Sequence, residues 1–172
     1  NRGGVQYCDY DGIIICVPTP ANDDGSCNDS LVTSYIKDIR SKSFHVPILL
    51  KSTTSIEVIE GLRYDPFLTT NPEFLTEMNS NTEFQHQPFA IFGGNQGRMW
   101  YEMFIAGGII IDKVRFTDVI KAAYAKYAIN CFLATKVVFF NELREMYGDY
   151  NFDSLTDLIA LDSRIGGSHM MV

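Results

Sequence analysis

The segment AKYAINCFLATKVVFFNEL, residues 125–143, predicts a helix that is apolar around most of its circumference. Its VVFF run covers a full helical turn without a polar side chain. Thr117 with Asp118 is typical of a helix start, and Gly148 is typical of a helix end. We therefore expect one helix over about 118–147, which at about 1.5 Å per residue is roughly 45 Å long.

A helix of this length and apolar character needs a large surface against which to bury its side chains. A second copy of the same chain is the simplest partner, because two-fold dimers are the commonest oligomers. The sequence therefore predicts a homodimer that forms through Phe132 to Phe140.

Short apolar runs alternate with helical patterns before this helix. Ile13 to Val17 ends at Pro-Thr-Pro, and Ile48 to Lys51 ends at Ser-Thr-Thr. A third, short strand runs into Asn71-Pro72, and a fourth, FAIFGG, is closed by glycines. Uninterrupted runs of this kind are typical of parallel strands buried on both faces, so the pattern predicts an open, mostly parallel α/β sheet.

Helices are predicted between these strands and after them in the sequence. A helix over Leu31–Arg40 would carry Asp29 or Ser30 as its cap and would bury one side, formed by Leu31, Tyr35, Ile36 and Ile39. Further along the chain, the pattern predicts a short helix over 97–106, an extended segment over 108–116, and a last helix over FDSLTDLIALD with Asp153 or Ser154 as cap.

Composition excludes several classes of function. A net charge of −7 without a Lys/Arg cluster disfavours binding to nucleic acid or to an anionic membrane. No apolar run reaches the roughly 20 residues of a membrane span, and no signal peptide is visible, so we expect a cytoplasmic protein. The cysteines and histidines show no ligand spacing, so no metal site is predicted and the thiols are expected to be reduced.

Polar residues follow the predicted strands, and two more lie within the apolar long helix. The loops after the first three strands should meet at one edge of the sheet, where such folds bind ligands. Lys126 and Asn130 lie one helical turn apart, and so do Glu73 and Glu77. The first pair fits either a snorkelling lysine with a buried amide or a pair that stabilises a negative oxygen. The glutamates are either surface carboxylates or acid/base groups near Lys126, and Thr53 could orient a water or a ribose hydroxyl.

Five motifs carry a resemblance to a known family. VPTP, KST, NPEFLTE, AKYAINCFLATKVVFFNEL and DSRIG occur here in the order seen in the UDP-glucose/GDP-mannose dehydrogenase family, which this sequence resembles over nearly its whole length. The resemblance implies an α/β fold in which 1–96 is the C-terminal part of a Rossmann-like NAD-binding domain. It also implies that 97–172 is a helical central domain for dimerisation.

The resemblance also implies an activity. The family oxidises C6 of a nucleotide sugar from alcohol to acid in two hydride transfers to NAD⁺, through a thiohemiacetal and a thioester on a cysteine. UDP-glucose, oxidised to UDP-glucuronate, is the expected substrate. GDP-mannose and a truncated, non-catalytic module that binds a nucleotide sugar or dimerises are the alternatives.

Family roles carry over to named positions. By resemblance, the cofactor would be bound by Val17, Pro18, Thr19, Pro20, Ser52, Thr53 and Glu77. The catalytic residues would be Thr53, Glu73, Lys126 and Asn130. The substrate pocket would be formed by Glu73, Phe74, Leu75, Glu77, Lys126 and Asn130, and Arg164 would reach the sugar bound in the neighbouring subunit.

Some family features are not found in the sequence. It has neither the GxGxxG fingerprint nor the Gly-Gly-x-Cys loop that carries the nucleophile, Met78 stands where the family favours glycine, and no arginine follows Pro88. We therefore expect this chain alone to be inactive, either as a fragment of a larger protein or as a shortened relative.

Overall fold

The computed structural model describes residues 6–74, 80–148 and 150–170. The strands are β1 (Ile13–Ile15), β2 (Ile48–Leu50), β3 (Leu68–Thr70), β4 (His86–Gln87), β5 (Ala90–Gly93), β6 (Ile110–Ile111) and β7 (Val114–Thr117). The helices are α1 (Ser30–Lys42), α2 (Ile56–Leu62), α3 (Ser80–Gln85), α4 (Gly97–Ala106), α5 (Val119–Tyr147) and α6 (Phe152–Ala160), and a 3₁₀ turn covers Tyr7–Asp9.

The chain divides into two compact units, Asn1–Lys126 and Tyr127–Val172. Strand β7 and the first turns of α5 therefore belong to the first unit. The predicted boundary after residue 96 refers to functional domains, and that division stays a prediction.

The first unit is built on a five-stranded sheet in the order β1-β2-β3-β5-β7. Three of its four strand pairs are parallel, and only β3 and β5 pair in the antiparallel direction, through Thr70 and Gly93. The prediction of a mostly parallel α/β sheet is confirmed. Strands β4 and β6 form a separate parallel pair.

Burial follows the position of each strand and helix. Every residue of β2 and β3 is buried, whereas Ile14 of β1 is exposed because β1 is the last strand of the described sheet. Helix α1 buries a stripe that differs from the predicted one. It is formed by Val32, Ile36 and Ile39, so the prediction was wrong for Leu31 and Tyr35, which are exposed. Those two side chains lie at the flank of the stripe that faces the sheet.

The predicted ends of α5 are confirmed. The carboxylate of Asp118 accepts a hydrogen bond of 2.8 Å from the backbone N–H of Lys121, as an N-terminal cap does. At the other end, Gly148 has a φ of 83°, and its N–H donates to the carbonyl of Arg144. Glycine adopts this left-handed conformation without the strain that a side chain would cause.

Two predicted caps behave differently. Asp29 precedes α1, but its carboxylate accepts from the backbone N–H of Ser55, the residue before α2. Helix α6 begins at Phe152, before both Asp153 and Ser154, so neither predicted residue is its cap. Asn151, with a φ of 53°, is its N-terminal flanking residue, so Asp153 and Ser154 lie in its first turn.

The second unit has its own small core, centred on Phe140, Phe152 and Met170. Lys136 is also buried in this unit, and its ammonium donates to the carbonyls of Ile165 and Gly166 at 2.8 and 2.9 Å. The predicted dimer surface from Phe132 to Phe140 is therefore wrong for Phe140. Its ring is buried within the same chain because α6 packs beside it.

Gly93 lies at the point where β3, β5 and the start of α5 come closest. A Cβ atom at this position would lie 2.5 Å from the Cβ of Ala122, 2.6 Å from the carbonyl oxygen of Asp118 and 2.8 Å from the hydroxyl of Thr70. Two of these neighbours are main-chain or Cβ atoms that cannot rotate away. Only glycine fits without displacing the helix from the sheet.

We predict that Gly93→Ala lowers the free energy of unfolding by roughly 1–3 kcal/mol or more, because the added methyl overpacks this contact. Gly61→Ala is the matched control, since a Cβ there meets no atom within 4 Å and alanine favours the helix by up to about 1 kcal/mol. Urea denaturation of the two variants measures the difference. Equal stability of Gly93→Ala and the wild type would contradict the described contact.

Candidate active site

An open cleft lies where β1, β2 and β3 end. It has a volume of about 280 Å³ and is lined by Cys16, Val17, Lys51, Ser52, Thr53, Glu73 and Lys126. These residues come from the loops after the three strands and from the start of α5. The carboxyl ends of parallel strands thus meet at one edge of the sheet, as the sequence predicts.

Lys51 directly follows β2, and its side chain is only 10 % exposed. Its ammonium donates a hydrogen bond of 3.1 Å to the side-chain oxygen of Asn71 and lies 3.7 Å from a carboxylate oxygen of Glu73. The rings of Phe84 and Phe104 lie 5.7 and 6.0 Å from the same nitrogen. Burial lowers the pKa of Lys51 below its ordinary value, and the charge of Glu73 opposes this effect.

Asn71 fixes the position of this lysine. The residue is 1 % exposed, and its side-chain amide donates to the carbonyl of Ile91 at 2.9 Å. Its backbone N–H donates to the carbonyl of Leu50 at 2.9 Å. One buried side chain therefore connects the end of β2, the end of β3 and the middle of β5.

Lys126 approaches Glu73 from α5. Its ammonium donates to the backbone carbonyl of Glu73 and lies 5.2 Å from the centre of the Phe74 ring. Burial lowers the pKa of Lys126, and the charge of Glu73 again opposes the effect. The carboxylate of Glu73 thus lies beside one ammonium group, and its main chain is bound by a second.

This arrangement suits acid/base chemistry. The side chain of Glu73 is 49 % exposed, so its carboxylate can exchange protons with a molecule in the cleft. Two partly desolvated ammonium groups nearby can stabilise negative charge on a reacting oxygen. The cleft lining carries two lysines and one glutamate, so its local charge is positive although the chain is acidic overall.

The loops after β1 and β2 hold each other in place. The hydroxyl of Ser52 donates to the carbonyl of Val17 at 2.7 Å, and the hydroxyl of Thr19 donates to the carbonyl of Thr53 at 2.7 Å. The side chain of Thr53 is exposed. Pro18 is exposed as well, so the loops present both apolar and hydroxyl surface.

These loops fit part of a dinucleotide. The cleft volume lies near the lower end of ligand sites, which is about 300 Å³. Val17 and Pro18 offer apolar contact for a ring, Thr53 offers a hydroxyl for a ribose, and the lysines offset phosphate charge. The residues present are therefore compatible with a bound NAD.

Other predicted site residues lie elsewhere or outside the described residues. Asn130 and Arg164 belong to the second unit and are exposed. The guanidinium of Arg164 forms two-point contacts with Asp162, which raise the pKa of the arginine and lower that of the carboxyl. Leu75 and Glu77 lie outside the described residues. The roles of these residues stay predictions.

Sequence reasoning missed Lys51 and Asn71 as members of this site. One signal was present, because a lysine at the end of a fully buried apolar strand is unusual and needs a polar partner. Among the described residues, no cluster of three or more His, Cys, Asp or Glu side chains could hold a metal ion. Cys16, Cys27 and Cys131 are free thiols. Within the same described ranges, no helix has the length and hydropathy needed to span a bilayer.

The family assignment rests on a match over more than half of the chain. The model for the NAD binding domain of the UDP-glucose/GDP-mannose dehydrogenase family matches residues 4–104. The chain belongs to this family. The cofactor of its matched domain is therefore NAD, in agreement with the prediction.

Relatives and solved structures agree with this family. A UDP-glucose 6-dehydrogenase of Haloferax volcanii is 28 % identical over 96 % of this chain and 44 % of its own length. A UDP-glucose 6-dehydrogenase of Rickettsia felis is 30 % identical over 91 % of this chain and 38 % of its own length. This family member therefore spans less than half of those relatives.

Two solved structures are similar in fold. A UDP-glucose dehydrogenase from Pyrobaculum islandicum has a TM-score of 0.79 and 25 % identity, over 95 % of this chain and 42 % of its own. A GDP-mannose dehydrogenase from Pseudomonas aeruginosa has a TM-score of 0.75 and 22 % identity, over 89 % of this chain and 40 % of its own.

We predict a pH-dependent cost of burying Lys51. Its folded-state pKa lies below the ordinary 10.5. As pH rises between those two values, the unfolded chain retains a proton that the folded chain has lost, so stability rises with pH. Urea unfolding of the wild type and of Lys51→Met, from neutral pH to about pH 10, should show that the wild type gains free energy of unfolding relative to the variant as pH rises. A difference that stays constant over this range would contradict the burial of a charged lysine.

Proposed function

We propose that the complete protein carrying this chain oxidises UDP-glucose to UDP-glucuronate with NAD⁺. The observation that supports this most directly is the half-exposed carboxylate of Glu73 beside Lys51, with Lys126 bound to the main chain of the same residue, in a cleft at the ends of parallel strands. Two relatives named as UDP-glucose 6-dehydrogenases match nearly the whole chain and favour the glucose nucleotide over GDP-mannose.

The residues of the cleft would share the chemical work. Glu73 would accept a proton from the C6 hydroxyl, and in the hydrolytic step it would hold the attacking water. The ammonium of Lys126 would stabilise the negative charge that develops on the reacting oxygen. Thr53 would orient the water or a ribose hydroxyl, and Val17 and Pro18 would contact the cofactor. When bound, NAD⁺ supplies a hydride acceptor.

The two-step oxidation to the acid proceeds in this proposal through a thioester. The Gly-Gly-x-Cys motif expected around the nucleophile is not found in this sequence, so none of its cysteines is assigned that role. Asn130 is proposed to assist Lys126. Arg164 is proposed to bind the sugar nucleotide of a neighbouring subunit.

The test is the activity of the full-length protein. With UDP-glucose we expect reduction of two NAD⁺ per sugar and formation of UDP-glucuronate, measured by NADH absorbance and mass spectrometry. GDP-mannose should give at most a small fraction of that rate. Faster turnover of GDP-mannose would replace the substrate assignment, and no turnover of any sugar nucleotide would overturn the function.

We predict that Lys126→Ala lowers kcat of the full-length protein by roughly 10²–10³-fold with a smaller change in KM, because its ammonium acts on charge that appears only during the reaction. Lys121→Ala is the matched control. Lys121 lies on the same helix, and its side chain is 77 % exposed and pairs only with Asp118 among the described contacts. Steady-state kinetics on both variants decide the point, and normal turnover in Lys126→Ala would remove the lysine from the mechanism.

We also propose that the protein is a homodimer through α5. An exposed stripe runs along this helix in the second unit, and its members follow each other at alternating spacings of four and three residues: Ala128, Phe132, Thr135, Phe139, Glu142 and Met146. This spacing is the repeat of helices that pack along each other. Its aromatic members are large and more than half exposed, which supports burial against a partner.

Phe139→Asp should weaken self-association roughly tenfold or more, because it places a charge in the proposed apolar contact. The control is Tyr64→Asp, which changes an exposed aromatic residue of the first unit. Sedimentation velocity at micromolar concentration measures both. A wild-type protein that sediments as a monomer would contradict the dimer.

A further inference from the structure

Lys51 is the buried member of the charge cluster at the cleft. Its side chain is almost inaccessible, whereas the side chain of Glu73 is half exposed. Lys51 is bounded by Asn71 on the polar side and by the rings of Phe84 and Phe104 on the other. The lysine is therefore held by its surroundings, and the glutamate is the partner with room to move.

The contacts of the Lys51 ammonium show which of the two charged partners is held in place. One N–H donates to Asn71, which is itself fixed by its bond to the carbonyl of Ile91. The remaining charge faces a carboxylate oxygen of Glu73 at 3.7 Å, a distance of electrostatic attraction rather than of a short hydrogen bond. A buried cation with fixed neighbours attracts a half-exposed carboxylate, so the cation favours the orientation in which the carboxylate faces it.

Burial of this ammonium is costly for the fold. Removing a charged group from water destabilises the folded state unless its partners offset the loss, and an apolar side chain of the same length would avoid the penalty. One hydrogen bond to a neutral amide, two aromatic rings at 5.7 and 6.0 Å and one long ion pair are modest compensation. A charge kept under such conditions at a cleft is typical of a functional site.

We infer that Lys51 is a positioning residue, which acts through Glu73 by holding its carboxylate at the cleft wall in the orientation used for proton transfer. This inference rests on the proposed function and deepens it. Lys126 binds the main chain of residue 73, and Lys51 governs its side chain. The two lysines therefore have different tasks.

A double-mutant cycle on the full-length protein tests the inference. Lys51→Met should lower kcat for UDP-glucose roughly 10–100-fold with little change in KM, because a displaced carboxylate transfers protons poorly. Glu73→Gln should lower kcat at least as much. The double variant should resemble Glu73→Gln within about threefold, since residues that act as a unit are non-additive.

Stability distinguishes positioning from a structural role. Lys51→Met should have a Tm equal to or above that of the wild type, because it removes a buried charge. Lys42→Met is the control, because it removes an exposed ammonium that pairs with Asp38 on α1, and its kcat should be normal. If Lys51→Met fails to fold, Lys51→Gln replaces it in the double-mutant cycle with Glu73→Gln. The glutamine keeps a hydrogen-bond donor for Asn71 and removes the charge. Failure of both variants to fold would show a structural role and overturn the inference.

The outcomes separate the two proposals. An active wild type with multiplicative losses in the double variant would mean that Lys51 acts independently of Glu73, and it would overturn the positioning role alone. Full activity of Lys51→Met would do the same. A wild type inactive on every sugar nucleotide would instead overturn the proposed function.

Discussion

The close packing of α5 against the sheet at Gly93 determines where the candidate active site can form. Because position 93 has no side chain, Ala122 and the carbonyl of Asp118 come so close to the strand that a Cβ atom there would lie only 2.5 and 2.6 Å from them. Lys126 follows Ala122 by one helical turn and so lies on the same face of the helix. The contact therefore directs this lysine toward the end of β3, where it meets the main chain of Glu73.

Local signals in the sequence were sufficient to predict most of the helices and strands. Apolar runs ending in polar turns located β1, β2 and β3, and helix α4 was predicted with its observed bounds, Gly97–Ala106. Asp118 and Gly148 located the ends of α5 because caps depend on a few neighbouring residues. The meeting of the strand ends followed from the geometry of parallel sheets.

Other features depend on contacts between distant parts of the chain. The hydrogen bond between Lys51 and Asn71 joins residues that are 20 positions apart, so the hydrophobic periodicity of the sequence does not predict it. The same holds for the rotation of α1 that buries Val32 instead of Leu31. Phe140 could not be distinguished from Phe139 by hydrophobicity. Its burial depends on where α6 packs in the second unit.

The hydrogen bond from Lys126 to the main chain limits how mutation can change this cleft. Its acceptor is a peptide carbonyl, which every amino acid provides, so no replacement at position 73 removes the anchor of the ammonium. Mutation can therefore vary the proposed acid/base group while the positive charge beside it persists. Under the proposed function, a single substitution at position 73 changes the proton chemistry and leaves the positive charge that attracts anionic ligands in place.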